Sequence, residues 1–248
     1  MSALLVMENV TKKYGGLLAN NNLSFAVNQG EIIGLIGPNG AGKTTLFNCI
    51  ACFCNVDSGR ILFNGTDITN KPPEIICRMG IGRTFQIVRI FKEMTVLENI
   101  MIGAFLRHAR RKDAERKAIE AAEIFGFTER LGLKASSLTI SEQKFLEVAR
   151  VFATGAKLLL LDEIMAGLNI QEVRESVELV LKLRQMGITL ILVEHVMEGV
   201  MPIADRVVVL DYGEKIAEGS PAEVIKDEKV IQAYFGQKYY AKRREYTT

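Results

Sequence analysis

Long apolar runs are what this sequence most lacks. No stretch approaches the roughly 18 consecutive apolar residues a membrane-spanning helix needs, so any relation to a membrane is expected to be peripheral. An excess of charge is missing too: 31 Lys and Arg stand against 29 Asp and Glu, a formal balance of +2, too little to argue for nucleic acid on electrostatic grounds. The first residues, "MSALLVMENVTKKYGG", show no basic head, apolar core and small-residue cleavage site, which reads as a cytosolic chain. There is no internal repeat, no low-complexity segment and nothing long enough for a coiled-coil arm. Cysteine is sparse. Three of the four crowd together as Cys49, Cys52 and Cys54, but with only His108 and His195 as further partners they read as buried thiols rather than a metal or redox site.

What remains is an ordinary globular balance, 48% apolar and 24% charged, in a chain of 248 residues that can bury a sizeable core. "LLVMENV" and "NLSFAV", separated by Gly and Asn, predict antiparallel strands. "EIIGLIG" is nearly continuous in its apolar character, as a strand buried on both faces must be, and it empties into a glycine-rich loop and a helix, "KTTLFNCIACF". Residues 87–150 change character, with helical spacing almost throughout "ENIMIGAFLRHARRKDAERKAIEAAEIFG". After them "KLLLLDE", "ITLILVEH" and "DRVVVLDYG" supply three more apolar strands, with a helix between the first two, a rhythm that predicts a parallel sheet.

The expected organisation is a single α/β domain. Residues 1–86 hold antiparallel β and the first part of the core, 87–150 an inserted helical subdomain, 151–235 the rest of the core, and 236–248 a basic tail, "GQKYYAKRREYTT" in sequence.

The chemistry starts at "GPNGAGKT". Its spacing fits G-x-x-x-x-G-K-[ST] and it lies between a buried strand and a helix, as that motif requires. Glycines let successive backbone N–H groups turn inward around phosphate oxygens, Lys43 reaches the β and γ phosphates, and Thr44 can hold Mg2+. This is the signature of a P-loop NTPase core, a mostly parallel sheet flanked by helices. A carboxylate-bearing strand completes such a site: Asp162 would orient Mg2+ and Glu163 would take a proton from the attacking water. Gln86, in "GRTFQ", and His195, in "LILVEH", fall where the sheet would bring them to the same edge.

With these parts in this order the chain resembles the nucleotide-binding subunits of ABC transporters over essentially its whole length. The resemblance implies that Tyr14 stacks on adenine, that Gly37, Pro38, Asn39, Gly40, Ala41, Gly42, Lys43, Thr44 and Thr45 form the Walker A loop around ATP, and that Gln86 contacts Mg2+ with Thr44 and Asp162. Asp162 and Glu163 then close Walker B, "AGLN" is the D-loop and His195 the switch histidine. "GIGRTFQIVRIFKEMTVLENIMIGA" and "DRVVVLDYGEKIAEGSPAEVI" look like the LivG-type ATPases of branched-chain amino acid importers. That resemblance implies an ATPase at the cytoplasmic face of the cell membrane that pairs with a second ATPase subunit. It also implies two membrane permease subunits docked near residues 87–105, and indirect service to a solute-binding protein.

One stretch departs from the family. Leu138, Thr139, Ile140, Ser141 and Glu142 stand on the five positions of the L-S-G-G-Q signature, which contacts the facing chain's ATP, and only the leucine is retained. A carboxylate about 5 Å from a γ-phosphate would be repelled by roughly 3 kcal/mol at an effective dielectric of about 20. Thr139 and Glu142 also have the spacing of a capping box, which would consume helix N–H groups. The expectation is a chain whose own site is competent and whose signature is weak, paired with a different subunit that carries an intact one. A second departure puts Ile164 and Met165 after Glu163, where the family has proline, and predicts a less rigid path to the D-loop. The competing readings are an ABC protein acting on nucleic acid or the ribosome, against which the sequence offers no coiled coil or zinc module, and a catalytically weak regulatory subunit.

Overall fold

The structure, a computed structural model, describes residues 3–234; the basic tail lies outside the described residues. Two strands open the chain, β1 (Ala3–Tyr14) and β2 (Leu17–Asn28), joined by a tight turn at Gly15 and Gly16 and paired antiparallel. They are followed by β3 (Ile32–Ile36) and α1 (Lys43–Ile50), then by β4 (Ser58–Phe63) and β5 (Thr66–Asp67). Next come α2 (Pro73–Met79), β6 (Ile81–Arg83), α3 (Val96–Ala104), α4 (Arg111–Ile124) and α5 (Ile140–Phe152). The chain closes with β7 (Leu158–Asp162), α6 (Ile170–Gln185), β8 (Thr189–Val193), α7 (Met197–Val200), β9 (Arg206–Asp211), β10 (Glu214–Gly219) and α8 (Pro221–Val224).

The strands sort into two sheets. One is antiparallel, in the order β2-β1-β4-β5; the other runs β10-β9-β3-β8-β7-β6, parallel except for β10 at its edge. Its inner strands β3, β7 and β8 are buried along their whole length, which is why each reads as an unbroken apolar run. Alternate residues still part company. Ile33, Leu35, Leu158, Leu160, Ile191 and Val193 face α1 and the antiparallel sheet, whereas Ile32, Leu159, Leu161, Leu190 and Leu192 face α3 to α6. Strand β6 before the helical segment pairs with β7 after it, so the two flanking stretches share one sheet.

The helical segment is less continuous than its spacing suggests. Residues 84–95 are irregular, and helix begins only at Val96, with Thr95 and Glu98 forming a capping box. The loop is held by the buried Asn99 amide, which donates to the carbonyls of Phe91 (3.0 Å) and Thr95 (2.9 Å) and accepts from Phe91 N–H (2.9 Å). A second break separates α3 from α4, where Arg107 donates to the carbonyls of Thr154 (3.0 Å) and Arg78 (2.7 Å). Those long-range bonds favour a turn over one more turn of helix.

Helix α1 stops in a Schellman arrangement: Phe53 N–H donates to Asn48 O (2.8 Å) and Cys52 N–H to Cys49 O (3.1 Å). Cys52 takes the left-handed position, φ +54°, that glycine usually fills.

Candidate functional site

The phosphate loop joins β3 to α1 at the carboxyl edge of the parallel sheet, where open α/β sheets bind ligands. Two of its glycines are obligatory. Gly37 has φ +151°, and a Cβ there would sit 2.1 Å from Leu210 O; at Gly42, φ +99°, it would sit 2.3 Å from Ala19 O. Lys43 is buried and curls back over the loop, donating to Gly37 O (2.6 Å) and Pro38 O (3.0 Å). Burial lowers its pKa, opposed by the nearby charges of Glu163 and Asp162.

Asp162, the last residue of β7, is almost fully buried. Its Oδ2 pairs with Arg83 (3.1 Å), and its N–H donates to Thr84 Oγ1 (3.0 Å). Arg83 is buried as well: its guanidinium also donates to Asn48 Oδ1 and lies 5.3–5.8 Å from the ring centres of Phe47, Phe53 and Phe85. Burial raises the pKa of Asp162 and lowers that of Arg83; the ion pair works against both shifts. Asp162 Oδ1 is buried with no hydrogen-bond partner among the described residues.

Glu163 turns out of the strand with a left-handed φ of +53°. Its N–H donates to Val193 O (2.8 Å), and its carbonyl accepts from Lys144 Nζ (3.1 Å), which also donates to Ala166 O (2.6 Å). The carboxylate is gripped on both sides, Oε2 accepting from Gln86 Nε2 (3.0 Å) and Oε1 in contact with His195 Nε2 (3.0 Å). Ile164 and Met165, which stand where the family has proline, are buried, and Met165 N–H donates to Glu194 Oε1 (2.8 Å), which ties down the start of the path to Ala166–Asn169. Asn169 caps α6 in a box with Glu172. Burial pushes the Glu194 carboxyl up to about 7.

These groups surround a cleft of about 570 Å3. Its wall comprises Tyr14, Leu17, Leu18 and Ala19 from the first hairpin, residues 39–45, Gln86, Glu163, His195 and Tyr212. Gly37, Pro38 and Asp162 are not part of the wall itself. Sequence reasoning missed Arg83, Lys144 and Glu194, single charged residues whose partners lie 19 to 79 positions away. No cluster of three or more His, Cys, Asp or Glu that could hold a metal occurs among the described residues. Mg2+ is usually held by one or two protein groups with the phosphates and water. The partnerless Asp162 Oδ1 and the Thr44 hydroxyl fit that requirement.

Leu138, Thr139, Ile140, Ser141 and Glu142 are not on this wall. Thr139 caps α5: Glu142 N–H donates to Thr139 Oγ1 (3.3 Å), and Thr139 N–H to Glu142 Oε2 (2.8 Å). Glu142 also pairs with Arg130, Ser141 Oγ is 3.1 Å from Thr139 Oγ1, and Ile140 stands 73% exposed.

Comparison with known proteins gives the same picture. The family described as ABC transporter matches residues 20–166, and that described as branched-chain amino acid ATP-binding cassette transporter matches residues 214–240. The chain is 40% identical over 250 residues to the high-affinity branched-chain amino acid transport ATP-binding protein LivG of Escherichia coli K12, covering 94% of this chain and 98% of that one. It is 39% identical over 251 residues to BraF of Pseudomonas aeruginosa, with the same coverage, a protein described in the same words. Among solved structures, an ATP-binding cassette of an ABC transporter in its ADP conformation superimposes with a TM-score of 0.87 at 33% identity, covering 96% of this chain and 100% of the other. A nucleotide-free ATP-binding cassette also reaches 0.87 at 33%, covering 95% and 100%.

Proposed function

The chain belongs to the ABC transporter family as an ATP-hydrolysing subunit, and from that premise we propose that it powers the import of branched-chain or similar amino acids through separate membrane subunits. The match of residues 214–240 and the printed functions of the LivG and BraF relatives support this substrate class. On this reading ATP lies in the cleft with its base against Tyr14, its phosphates in residues 37–45 and Lys43 on the β and γ oxygens. Mg2+ would be held by Thr44, Asp162 and Gln86, and would neutralise charge on the phosphates.

The observation that carries the catalytic reading is the Glu163 carboxylate, held between Gln86 and His195 on the same cleft wall as Lys43. A carboxylate fixed on both sides can orient a water and take its proton. Glu163→Gln should therefore nearly abolish ATP turnover while leaving ATP binding intact, measured as phosphate release and nucleotide titration; turnover near that of the unchanged protein would refute the assignment.

The signature stretch supports asymmetry. In a closed pair it would face the other subunit's ATP, but the capping box uses one helix N–H group within the chain, and the exposed Ile140 occupies a position where close backbone approach is needed. Charge repulsion matters less than the sequence suggests, because Arg130 and the Thr139 N–H already compensate Glu142. We infer a partner ATPase of different sequence with an intact signature, two permease subunits docking near residues 87–105, and residence at the cytoplasmic face of the membrane. Among the described residues no helix is long and apolar enough to cross it.

A further inference from the structure

We propose that Cys49 and Cys54 form an oxidisable thiol pair beside the base-binding end of the cleft, and that a disulfide between them weakens ATP binding. The pair is made by the end of α1. The left-handed Cys52 turns the chain back, Cys54 N–H returns to Asn48 O (3.3 Å), and the two sulfurs come to rest 3.6 Å apart. That is contact distance, with no atom between them. Cys49 is buried and Cys54 half-buried, so an oxidant reaches Cys54 first and Cys49 is placed to resolve it.

The surroundings favour a thiolate at Cys54. The Cys49 thiol in contact with it, the Tyr14 hydroxyl and the positive charge of Lys12 and Arg83 together hold the Cys54 thiol down to about 6 despite its burial. The two neighbouring groups shift the other way. Cys49 is pushed well above the ordinary thiol range, chiefly by its bond to Cys54, and Tyr14 is pushed up to about 12 for the same reason. The sequence alone reads these cysteines as inert; what it hides is that two sulfurs five residues apart meet around a helix end.

Hydrogen peroxide is the simplest oxidant of the right class. The Cys54 thiolate attacks one peroxide oxygen, the O–O bond breaks, and protonation of the leaving oxygen gives water and a sulfenic acid. Cys49 sulfur then attacks Cys54 sulfur as its proton passes to the departing hydroxyl, releasing a second water. Two thiols lose two electrons to one peroxide. The new bond draws Cys54 towards Cys49 and removes the thiolate charge that acts on Tyr14, a residue on the cleft wall. This last step rests on the reading of Tyr14 as the residue that stacks on the base.

The test treats the full-length protein with peroxide, locates the disulfide by peptide mapping, and titrates a fluorescent ATP analogue before and after. The expected result is a Cys49–Cys54 disulfide and a fall in affinity of up to about tenfold, reversed by dithiothreitol. Cys54→Ser should form no such bond and keep its affinity, and Cys52→Ser should behave like the unchanged protein. Absence of the bond, or a bond with unaltered affinity, overturns the proposal. Reduced Tyr14→Ala separates the two readings: if it binds the analogue as tightly as the unchanged protein, the base-stacking assignment fails while the mapped disulfide stands.

Discussion

At Arg83 two buried charges meet inside a ring of phenylalanines, and the Asp162 carboxylate depends on that meeting for both its ionisation and its direction. Removing one member of a buried ion pair leaves the other charge unpaired, at a cost of about 3–5 kcal/mol. Arg83→Met should lose stability on that scale in urea unfolding, and Arg83→Lys should recover part of it; equal stability of Arg83→Met and the unchanged chain would contradict this account. Glu194 makes a prediction in pH. Its folded-state value near 7 lies above the ordinary 4.5, so its contribution to stability is fully present below the ordinary value and is lost as pH rises through 7. Glu194→Gln should flatten that dependence and be the more stable protein above neutrality, by roughly 3 kcal/mol at most; parallel pH profiles of urea midpoints would argue against it. Neither residue is legible in sequence. Lys43, Asp162 and Glu163 announce themselves because their chemistry needs fixed spacing, whereas Arg83 acquires its meaning only when β6 is laid beside β7.

The elements show a similar division. Strands β3, β7 and β8 are readable as apolar runs because both faces are covered, but β6, three residues long, carries no pattern and is defined by its partner. The breaks at residues 84–95 and 105–110 escape periodicity because Asn99 and Arg107 impose them through bonds to distant carbonyls. Packing of α3 on α5 offers a direct check. A Cβ on Gly103 would meet Arg150 O at 1.9 Å, so the two helices approach as closely as backbone allows. Gly103→Ala should force them apart and cost about 1–3 kcal/mol, seen as a lower thermal midpoint; an unchanged midpoint would mean that the helices slide at no cost.

For the whole molecule the question is which half of each composite site the chain supplies. On the proposed reading it brings its own Lys43 and Glu163 to the nucleotide and a signature stretch whose helix start is already capped within the chain. The isolated chain should therefore hydrolyse ATP slowly and be accelerated by the partner ATPase of its native assembly. In that assembly Glu142→Ala should leave the rate nearly unchanged, since it removes only the acceptor of Thr139 N–H and the partner of Arg130, leaving the Thr139 cap in place, rather than a phosphate contact. A large loss of phosphate release from that variant would show the signature to be in use. The left-handed backbone at Glu163 carries a consequence for timing. A non-glycine residue there stores on the order of 1–3 kcal/mol of strain, and one of the bonds that hold it comes from Lys144, on α5 in the helical segment. The loop is in effect a cocked latch whose catch belongs to another part of the machine. On the proposed reading, a shift of α5 against β7 would break the Lys144 bonds to Glu163 O and Ala166 O, and so tie the position of the helical segment to the residue that takes the proton of water.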